Sequence, residues 1–156
     1  MVTKKPYEQL TDLEKVQKQW HKLSGLHTKE EWSAAIVRAA TAAEIAATFA
    51  VRQEFELNSD FDSKFVDSLL RWANGLAGKL YRLLLPISVG NKAKNNKLKS
   101  LKAIAEDINT KRNAIAHQGE FCNEEEAQAV IAQAKEFITT LIQIYEPKFS
   151  LKTRKR

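Results

Sequence analysis

The sequence predicts an all-α protein, an antiparallel bundle of about five helices. Apolar residues recur every three or four positions in five segments, and no stretch alternates apolar and polar residues for long enough to be a strand. The connections between the segments are mostly short, which favours antiparallel neighbours. With 156 residues the chain can bury one core, so we expect a single helical domain over residues 1–147 and a basic tail over 148–156.

Two helices are predicted in the first third of the chain. The apolar positions of the first are Leu10, Leu13, Val16, Trp20 and Leu23. The Ser-Gly-Leu-His sequence at residues 24–27 interrupts this spacing and predicts the end of the helix. Thr28 and Glu31 then have the spacing of a capping box, which starts a long alanine-rich helix that runs to about Glu56. The apolar positions of this second helix are Trp32, Ile36, Ala40, Ala43, Ala47 and Val51. Its small side chains let a neighbouring helix approach closely.

A third helix is predicted to begin at Ser59 or Asp60 and to end at Pro86, because proline disrupts a helix. Its apolar side consists of Phe61, Phe65, Leu69, Trp72, Leu76, Leu80 and Leu83. A fourth helix is predicted from about Asn96 to His117. Gly119 follows it and suits the left-handed conformation that closes a helix.

The fifth helix is predicted to open with Asn123 and Glu126, another capping pair. Glu124 and Glu125 stand in its first turn, where acidic side chains interact favourably with the helix dipole. Its apolar positions are Ala127, Val130, Ala134, Phe137, Leu141 and Tyr145.

Composition argues against several classes of protein. No apolar run approaches the length that spans a bilayer, and the first ten residues lack the apolar segment of a signal peptide. Cys122 is the only cysteine, so we expect no disulfide, no zinc pattern and a reducing, cytoplasmic location. No glycine-rich phosphate loop is present, and we expect no cofactor.

The remaining residues of chemical interest are expected to be structural. His21 and His27 lack metal-ligand spacing, so we expect surface or capping residues and no metal site. We expect Cys122 to be a half-buried loop thiol, since no base stands beside it in sequence. The three tryptophans lie on apolar rows and are expected in the core; they are Trp20, Trp32 and Trp72.

The formal net charge is +6, and much of the excess lies in two segments that contain no acid. The first, residues 90–99, contains Lys92, Lys94, Lys97 and Lys99. The second, residues 148–156, contains Lys148, Lys152, Arg154, Lys155 and Arg156. Such clusters attract phosphate backbones in a salt-dependent way, so both are candidate RNA-backbone contacts. The alternatives are a solvated loop and a tail that only increases solubility.

The fourth predicted helix ends in an unusual set of polar residues. Its core-facing row is Leu101, Ala105, Ile108, position 112 and Ile115, and position 112 is an arginine. A guanidinium in an apolar row needs a partner or a solvated cleft. The adjacent row contains Asn109, Asn113 and His117, so Arg112, Asn113 and His117 form a polar patch at the end of an apolar seam. The carboxyl end of a helix favours the protonated form of a histidine.

This patch has a structural and a functional interpretation. In the structural one, Arg112 pairs with Asp107 or Glu44, and His117 caps the last carbonyls of its helix. In the functional one, the three side chains form a site. Glu44 is either a solvated helix acid or the partner of Arg112 across the core. The residues alone leave both interpretations open.

The sequence KRNAIAHQG, residues 111–119, resembles the signature of the HEPN superfamily, in which a histidine follows an arginine and a polar residue in the spacing R-x4–6-H. Arg112 matches the arginine, Asn113 the polar residue and His117 the histidine. The motif at the end of a long helix, with another long helix after it, is also similar to the HEPN architecture. Asp107 and Lys111 are similar to an acidic-x3-Lys-Arg extension of some nuclease members.

The resemblance implies a HEPN-like bundle and a metal-independent endoribonuclease whose catalytic residues are Arg112 and His117. It implies supporting roles for Asn113, Asp107 and Lys111, and a homodimer in which two motifs meet in one cleft. RNA is the expected partner, together with an antitoxin or defence-system protein if the nuclease is a toxin or a phage-defence effector. Members paired with a nucleotidyltransferase antitoxin commonly have a tyrosine where this chain has Gly119, so that form of regulation is not expected here.

The second hypothesis is a HEPN-like helical module without catalysis, which binds a nucleotide, RNA or a partner protein. Such a module does not need Arg112 and His117 to converge in a cleft.

Overall fold

The computed structural model describes residues 5–28, 31–58 and 62–152, and within them all regular structure is helical. A 3-10 turn at Tyr7–Gln9 precedes α1 (Asp12–Thr28), α2 (Trp32–Asn58) and α3 (Ser63–Trp72). Then come α4 (Gly75–Gly78), a π-helix (Lys79–Leu84), α5 (Leu85–Ile87), α6 (Lys92–Ser100), α7 (Lys102–Gln118) and α8 (Glu124–Gln143). The all-α class is confirmed, with six longer helices instead of the five expected.

Helix α2 is the centre of the bundle and packs against α1, α7 and α8. Seven of its alanines have no exposed surface: Ala35, Ala39, Ala42, Ala43, Ala46, Ala47 and Ala50. The distance between packed helices depends on the side chains at the contact, so alanines on several faces admit several close neighbours. The expectation drawn from the small side chains of this helix is confirmed.

The same helix meets the length and hydropathy criteria for a membrane span over Trp32–Leu57, with a mean hydropathy of 1.5. The expectation that no apolar run approaches spanning length is therefore wrong by these criteria. Of the apolar window, 61% is buried inside the protein. Helices that are apolar all round also form the cores of soluble proteins, so this is weak evidence for a membrane span.

Helix α1 extends beyond its predicted end. The helix continues through Gly25 to Thr28, and Leu26 still packs against the core. A single glycine costs a helix only about 1 kcal/mol relative to alanine, which tertiary packing offsets. The capping box predicted at Thr28 involves a side chain that lies outside the described part of the chain.

The third predicted helix is divided into two. Helix α3 starts at the cap Asp62, whose side chain accepts from the Phe65 N–H at 2.8 Å, while the predicted starts Ser59 and Asp60 lie outside the described residues. The break follows at Asn74, whose side chain accepts from the N–H of Gly75 at 2.9 Å. Gly75 has a φ of 83°, which residues with a Cβ rarely adopt.

This break changes where two predicted features lie. Trp72 was expected in the core, but 62% of it is exposed, and the Arg82 guanidinium lies 5.2 Å from its ring centroid. Pro86 lies within α5 and does not end the helical segment, which continues to Ile87. Trp20 is buried as expected, and Trp32 is half-buried against a small apolar cluster.

The fourth predicted helix is also two helices. Asn91 caps α6 by accepting from the Lys94 N–H at 3.1 Å, so the lysine-rich segment begins a helix instead of a loop. A turn at Leu101 separates α6 from α7. Gly119 closes α7 in the left-handed conformation with a φ of 67°, and Asn123 caps α8 by accepting from the Glu126 N–H at 2.9 Å, both as predicted.

The residues after α8 are part of the fold as far as they are described. Phe149 and Leu151 pack against the core, and the backbone of Lys152 exchanges two hydrogen bonds with the Gln17 side chain at 2.9 and 3.0 Å. The expected tail over 148–156 is therefore docked up to residue 152. Its last four residues lie outside the described part.

Candidate functional site

The last two turns of α7 place the polar patch at the end of a buried row. Ala105 and Ile108 are completely buried, and Arg112, the next residue of the same row, is half-buried. His117 is exposed in the last turn. The row therefore becomes less buried toward the end of α7, where Ile115 is also half-buried, and His117 of the adjacent row is exposed.

Arg112, Asn113 and His117 contact one another. The Nη1 atom of Arg112 lies 3.5 Å from Nε2 of His117 and donates to Oδ1 of Asn113 at 3.3 Å. Both contacts are long for hydrogen bonds, so the guanidinium is held only loosely by its own helix. An approaching anion can therefore compete for its donors.

Neither candidate acid pairs with Arg112. Asp107 accepts from Gln133 Nε2 at 3.0 Å, and Glu44 accepts from the Lys79 ammonium at 3.0 Å. Across residues 5–28, 31–58 and 62–152, no carboxylate forms an ion pair with Arg112. The Arg112–Asp107 and Arg112–Glu44 pairs expected in the structural interpretation are therefore not formed.

Arg112 lines a cleft instead. It is a cavity of about 110 Å³ between α2, the α3–α4 junction and α7, and we call it the Arg112 cavity. It is lined by Ala40, Thr41, Glu44, Asn74, Gly75, Leu76, Ile108, Asn109 and Arg112. The sequence spacing singled out six of these residues separately, but it missed Thr41, Asn74 and Gly75. It also could not show that the nine residues meet, because they come from three separate segments.

Lys111 is engaged away from this patch. Its ammonium bonds the carboxylates of Glu120, at 3.1 Å, and Glu126, and so ties the end of α7 to the start of α8. The hydrogen bonds that Lys111 donates to Glu126 and Glu120 raise the pKa of Lys111, and the bond accepted from Lys111 lowers the pKa of Glu126. Asp107 is likewise bonded to α8. Two of the three expected supporting residues, Lys111 and Asp107, therefore hold α7 in place and do not contact Arg112 or His117 through any described bond.

Cys122 lies beside the same ion pairs. Its sulfur and one oxygen each of Glu120 and Glu126 lie within 4.8 Å of one another, a spacing that suits a metal ion. A metal would have to displace the Lys111 ammonium from both carboxylates. Burial raises the pKa of the Cys122 thiol, and the half-buried loop thiol expected from the sequence is confirmed.

The four lysines of α6 do not form one surface. Lys94 bonds the buried carboxylate of Glu54 at 2.8 Å. Lys92 and Lys99 line a groove of about 560 Å³, whose other walls are Tyr81, Leu85, Pro86, Val89, Asn95 and Asn96. Lys97 lines a different groove, against the end of α8. Two of the four candidate RNA contacts therefore share a groove, and Lys94 is engaged in an ion pair.

A large apolar side chain lies close to the patch in sequence. Phe121 is 91% exposed and follows His117 by four residues, just after the glycine that closes α7. Among the described residues it is the most exposed of the large hydrophobic side chains.

No protein-family model matches the chain, and no match was found among curated proteins or among solved structures. The residues and their geometry therefore carry the functional argument.

Proposed function

We propose that this protein is a metal-independent endoribonuclease of the HEPN type, with Arg112 and His117 as its catalytic residues. The observation that carries the proposal is the arginine itself. Arg112 continues a buried apolar row, has no carboxylate partner among the described residues, and lies 3.5 Å from an exposed histidine. A charge in that position needs an anionic partner, and a phosphate group is one.

The chemistry requires few protein groups because RNA supplies the nucleophile. His117 removes the proton of a 2′-hydroxyl, whose oxygen attacks the adjacent phosphorus as the bond to the 5′-oxygen breaks. The leaving oxygen takes a proton, which gives a 2′,3′-cyclic phosphate and a 5′-hydroxyl. Arg112 holds the phosphate and stabilises the charge that develops on it. Asn113, which already accepts a bond from Arg112, orients the guanidinium.

A second copy of the chain would complete this sparse site. One arginine and one histidine provide one phosphate clamp and one proton-transfer group, whereas cleavage needs both an acid and a base. We propose a two-fold dimer in which exposed Phe121 is buried and the two motifs share a cleft. A cytoplasmic location and an antitoxin or defence-system partner belong to the same proposal.

The dimer is tested by Phe121→Asp. A charge in the centre of an apolar contact is costly, so light scattering should show a monomer where the parent chain is a dimer. Cleavage should fall together with dimerisation. A monomeric parent chain that cleaves RNA at its full rate would contradict the shared cleft.

The reaction is tested by His117→Ala, assayed in EDTA. Loss of the proton-transfer group should lower cleavage by roughly a hundredfold or more. Folding should be preserved, because His117 is exposed. The control is Thr110→Ala, an exposed residue of the same helix, which should cleave like the parent chain. Cleavage that needs Mg²⁺, or that persists without His117, would exclude the mechanism.

The second candidate is a HEPN-like module that binds a nucleotide, RNA or a protein without cleaving. The Arg112 cavity favours it, since a cavity beside a loosely held guanidinium suits a bound phosphate whether or not a bond is broken. RNA binding without cyclic-phosphate product in the parent chain would select this candidate.

A further inference from the structure

The Arg112 cavity contains several polar groups without a described partner. The Asn109 side chain makes no hydrogen bond to any described residue, and the Asn74 side chain uses only its oxygen, toward Gly75. Glu44 uses one carboxylate oxygen for Lys79, which leaves the other available. Two amide side chains and one carboxylate side chain therefore line one cavity, and such groups bind a ligand that has both donors and acceptors.

The size of the cavity limits that ligand. An engineered cavity of roughly 150 Å³ holds a benzene molecule, and the Arg112 cavity measures about 110 Å³. The cavity is therefore too small to enclose a whole six-membered ring. A single ring enters it in part, with the remainder in the open space beside Gly75, and a two-ring purine exceeds it further.

Part of the wall is held firmly, which suits a selective site. Leu76 and Ile108 are buried and provide apolar surface, while nearly buried Lys79 fixes the Glu44 carboxylate. Lys79 begins the π-helix, a geometry often found at functional sites. Gly75 adds no side chain, and a Cβ built there would meet nothing within 4 Å, so the space beside it is open.

We propose that the Arg112 cavity binds the pyrimidine base of the nucleotide whose 2′-hydroxyl attacks the phosphate held by Arg112. This proposal rests on the ribonuclease assignment and names the base that the enzyme selects. Cytosine and uracil both present an N–H donor beside carbonyl or ring-nitrogen acceptors. The Glu44 carboxylate accepts from the donor, and the amides of Asn74 and Asn109 donate to the acceptors.

The arrangement has a mechanistic reason. Arg112 both lines the cavity and contacts His117, so a base in the cavity is attached to a ribose near the phosphate clamp and the proton acceptor. The nucleotide that provides the nucleophile must be held most firmly for in-line attack, because misplacement by about 1 Å can lower a rate a hundredfold.

The test uses the four nucleoside 3′-monophosphates and inorganic phosphate with the full chain. Binding is measured by calorimetry, and the side-chain amide signals of Asn74 and Asn109 are followed by NMR. Cytidine or uridine 3′-monophosphate should shift both amide signals and bind about tenfold more tightly than the purine nucleotides. Inorganic phosphate should leave the Asn109 amide signal unchanged.

One variant tests whether the pyrimidine preference arises in the Arg112 cavity. Asn109→Ala should remove the pyrimidine preference, an effect of about tenfold for one lost hydrogen bond to the ring. Its fold should survive because Asn109 has no described partner. Thr110→Ala, its exposed neighbour, should keep the preference. Equal binding of all four nucleotides, tighter purine binding, or unshifted Asn109 signals would overturn the proposal.

The two proposals fail in different ways. Selective binding of pyrimidine nucleotides without RNA cleavage would retain the base pocket and exclude the ribonuclease. Cleavage after all four bases at equal rates would retain the ribonuclease and exclude the base pocket.

Discussion

Lys94 and Arg112 are both half-buried cations, but among the described residues only Lys94 is paired with an acid. The Lys94 ammonium bonds Glu54, whose side chain is only 1% exposed, and lies 5.4 Å from the ring centroid of Tyr145. The Tyr145 hydroxyl donates to the same carboxylate at 2.7 Å. Arg112 has no acid among the described residues, only two long contacts within its own helix.

The difference separates a cation that is paired inside the fold from one that lines a cavity. Around Lys94 each charge meets a partner, so the cluster is closed. Burial and the bond to Glu54 raise the pKa of Tyr145, so its phenol stays protonated and remains a donor. Around Arg112 the donors face a cavity. A closed cluster holds helices together, whereas an open one has capacity left for a ligand.

The largest expected effect lies in the closed cluster. Glu54→Gln keeps the shape of the side chain but leaves Lys94 without its counter-charge. Breaking a buried ion pair on one side costs roughly 3–5 kcal/mol, less where the remaining charge reaches water, so we expect a loss of about 3 kcal/mol in the free energy of unfolding. Urea denaturation measures it. The folded fraction should cleave RNA normally, and a loss below about 1 kcal/mol would mean that Lys94 simply moves into solvent.

The next effect comes from the open cluster, where we expect activity to fall while stability does not. Arg112→Ala should lower cleavage at least a hundredfold, a barrier increase of about 2.7 kcal/mol. The free energy of unfolding should stay the same or rise, because the change removes an uncompensated charge from an apolar row. Denaturation and cleavage are measured on one preparation. A large loss of stability would mean that Arg112 has an acid partner and that its charge is structural, as that of Lys94 is.

The smallest effect concerns the lysines that have no described acid partner. Replacing Lys92 and Lys99 together with Gln should weaken RNA binding and reduce its salt dependence. Each lost phosphate contact lowers the log–log slope by about 0.7 for single strands, so about 1.4 is expected for the pair. The control is Lys64→Gln with Lys135→Gln, which changes the net charge equally on exposed parts of α3 and α8. Equal slopes in the two variants would mean that the groove does not contact RNA.

Much of the fold follows from short-range signals in the sequence. The caps of α7 and α8 were readable because Gly119 and Asn123 act on residues a few positions away. The buried row of α8 follows the predicted spacing. Arg112 was recognisable as a candidate because it interrupts a row whose other members are apolar.

The failures arise where local signals compete. The apolar spacing continues across Asn74, so it conceals the break that Gly75 makes, and Trp72 turns outward as a result. The glycine in α1 was given too much weight, since packing outweighs its small cost. The Lys94–Glu54 pair joins residues forty positions apart, and spacing along a helix cannot reveal such a partner.

The alanines of α2 also determine at which positions the sequence of this protein can tolerate substitution. At the seven positions without exposed surface, any larger side chain must push a neighbouring helix away, and overpacking of this kind typically costs 1–3 kcal/mol. Mutational tolerance should therefore be lowest where the side chains are smallest. Lineages of this protein would diverge at the surfaces of α3 and α6 while the central helix stays nearly fixed. Ala40, another buried alanine of α2, lines the Arg112 cavity, so the same restriction on side-chain size applies at the site.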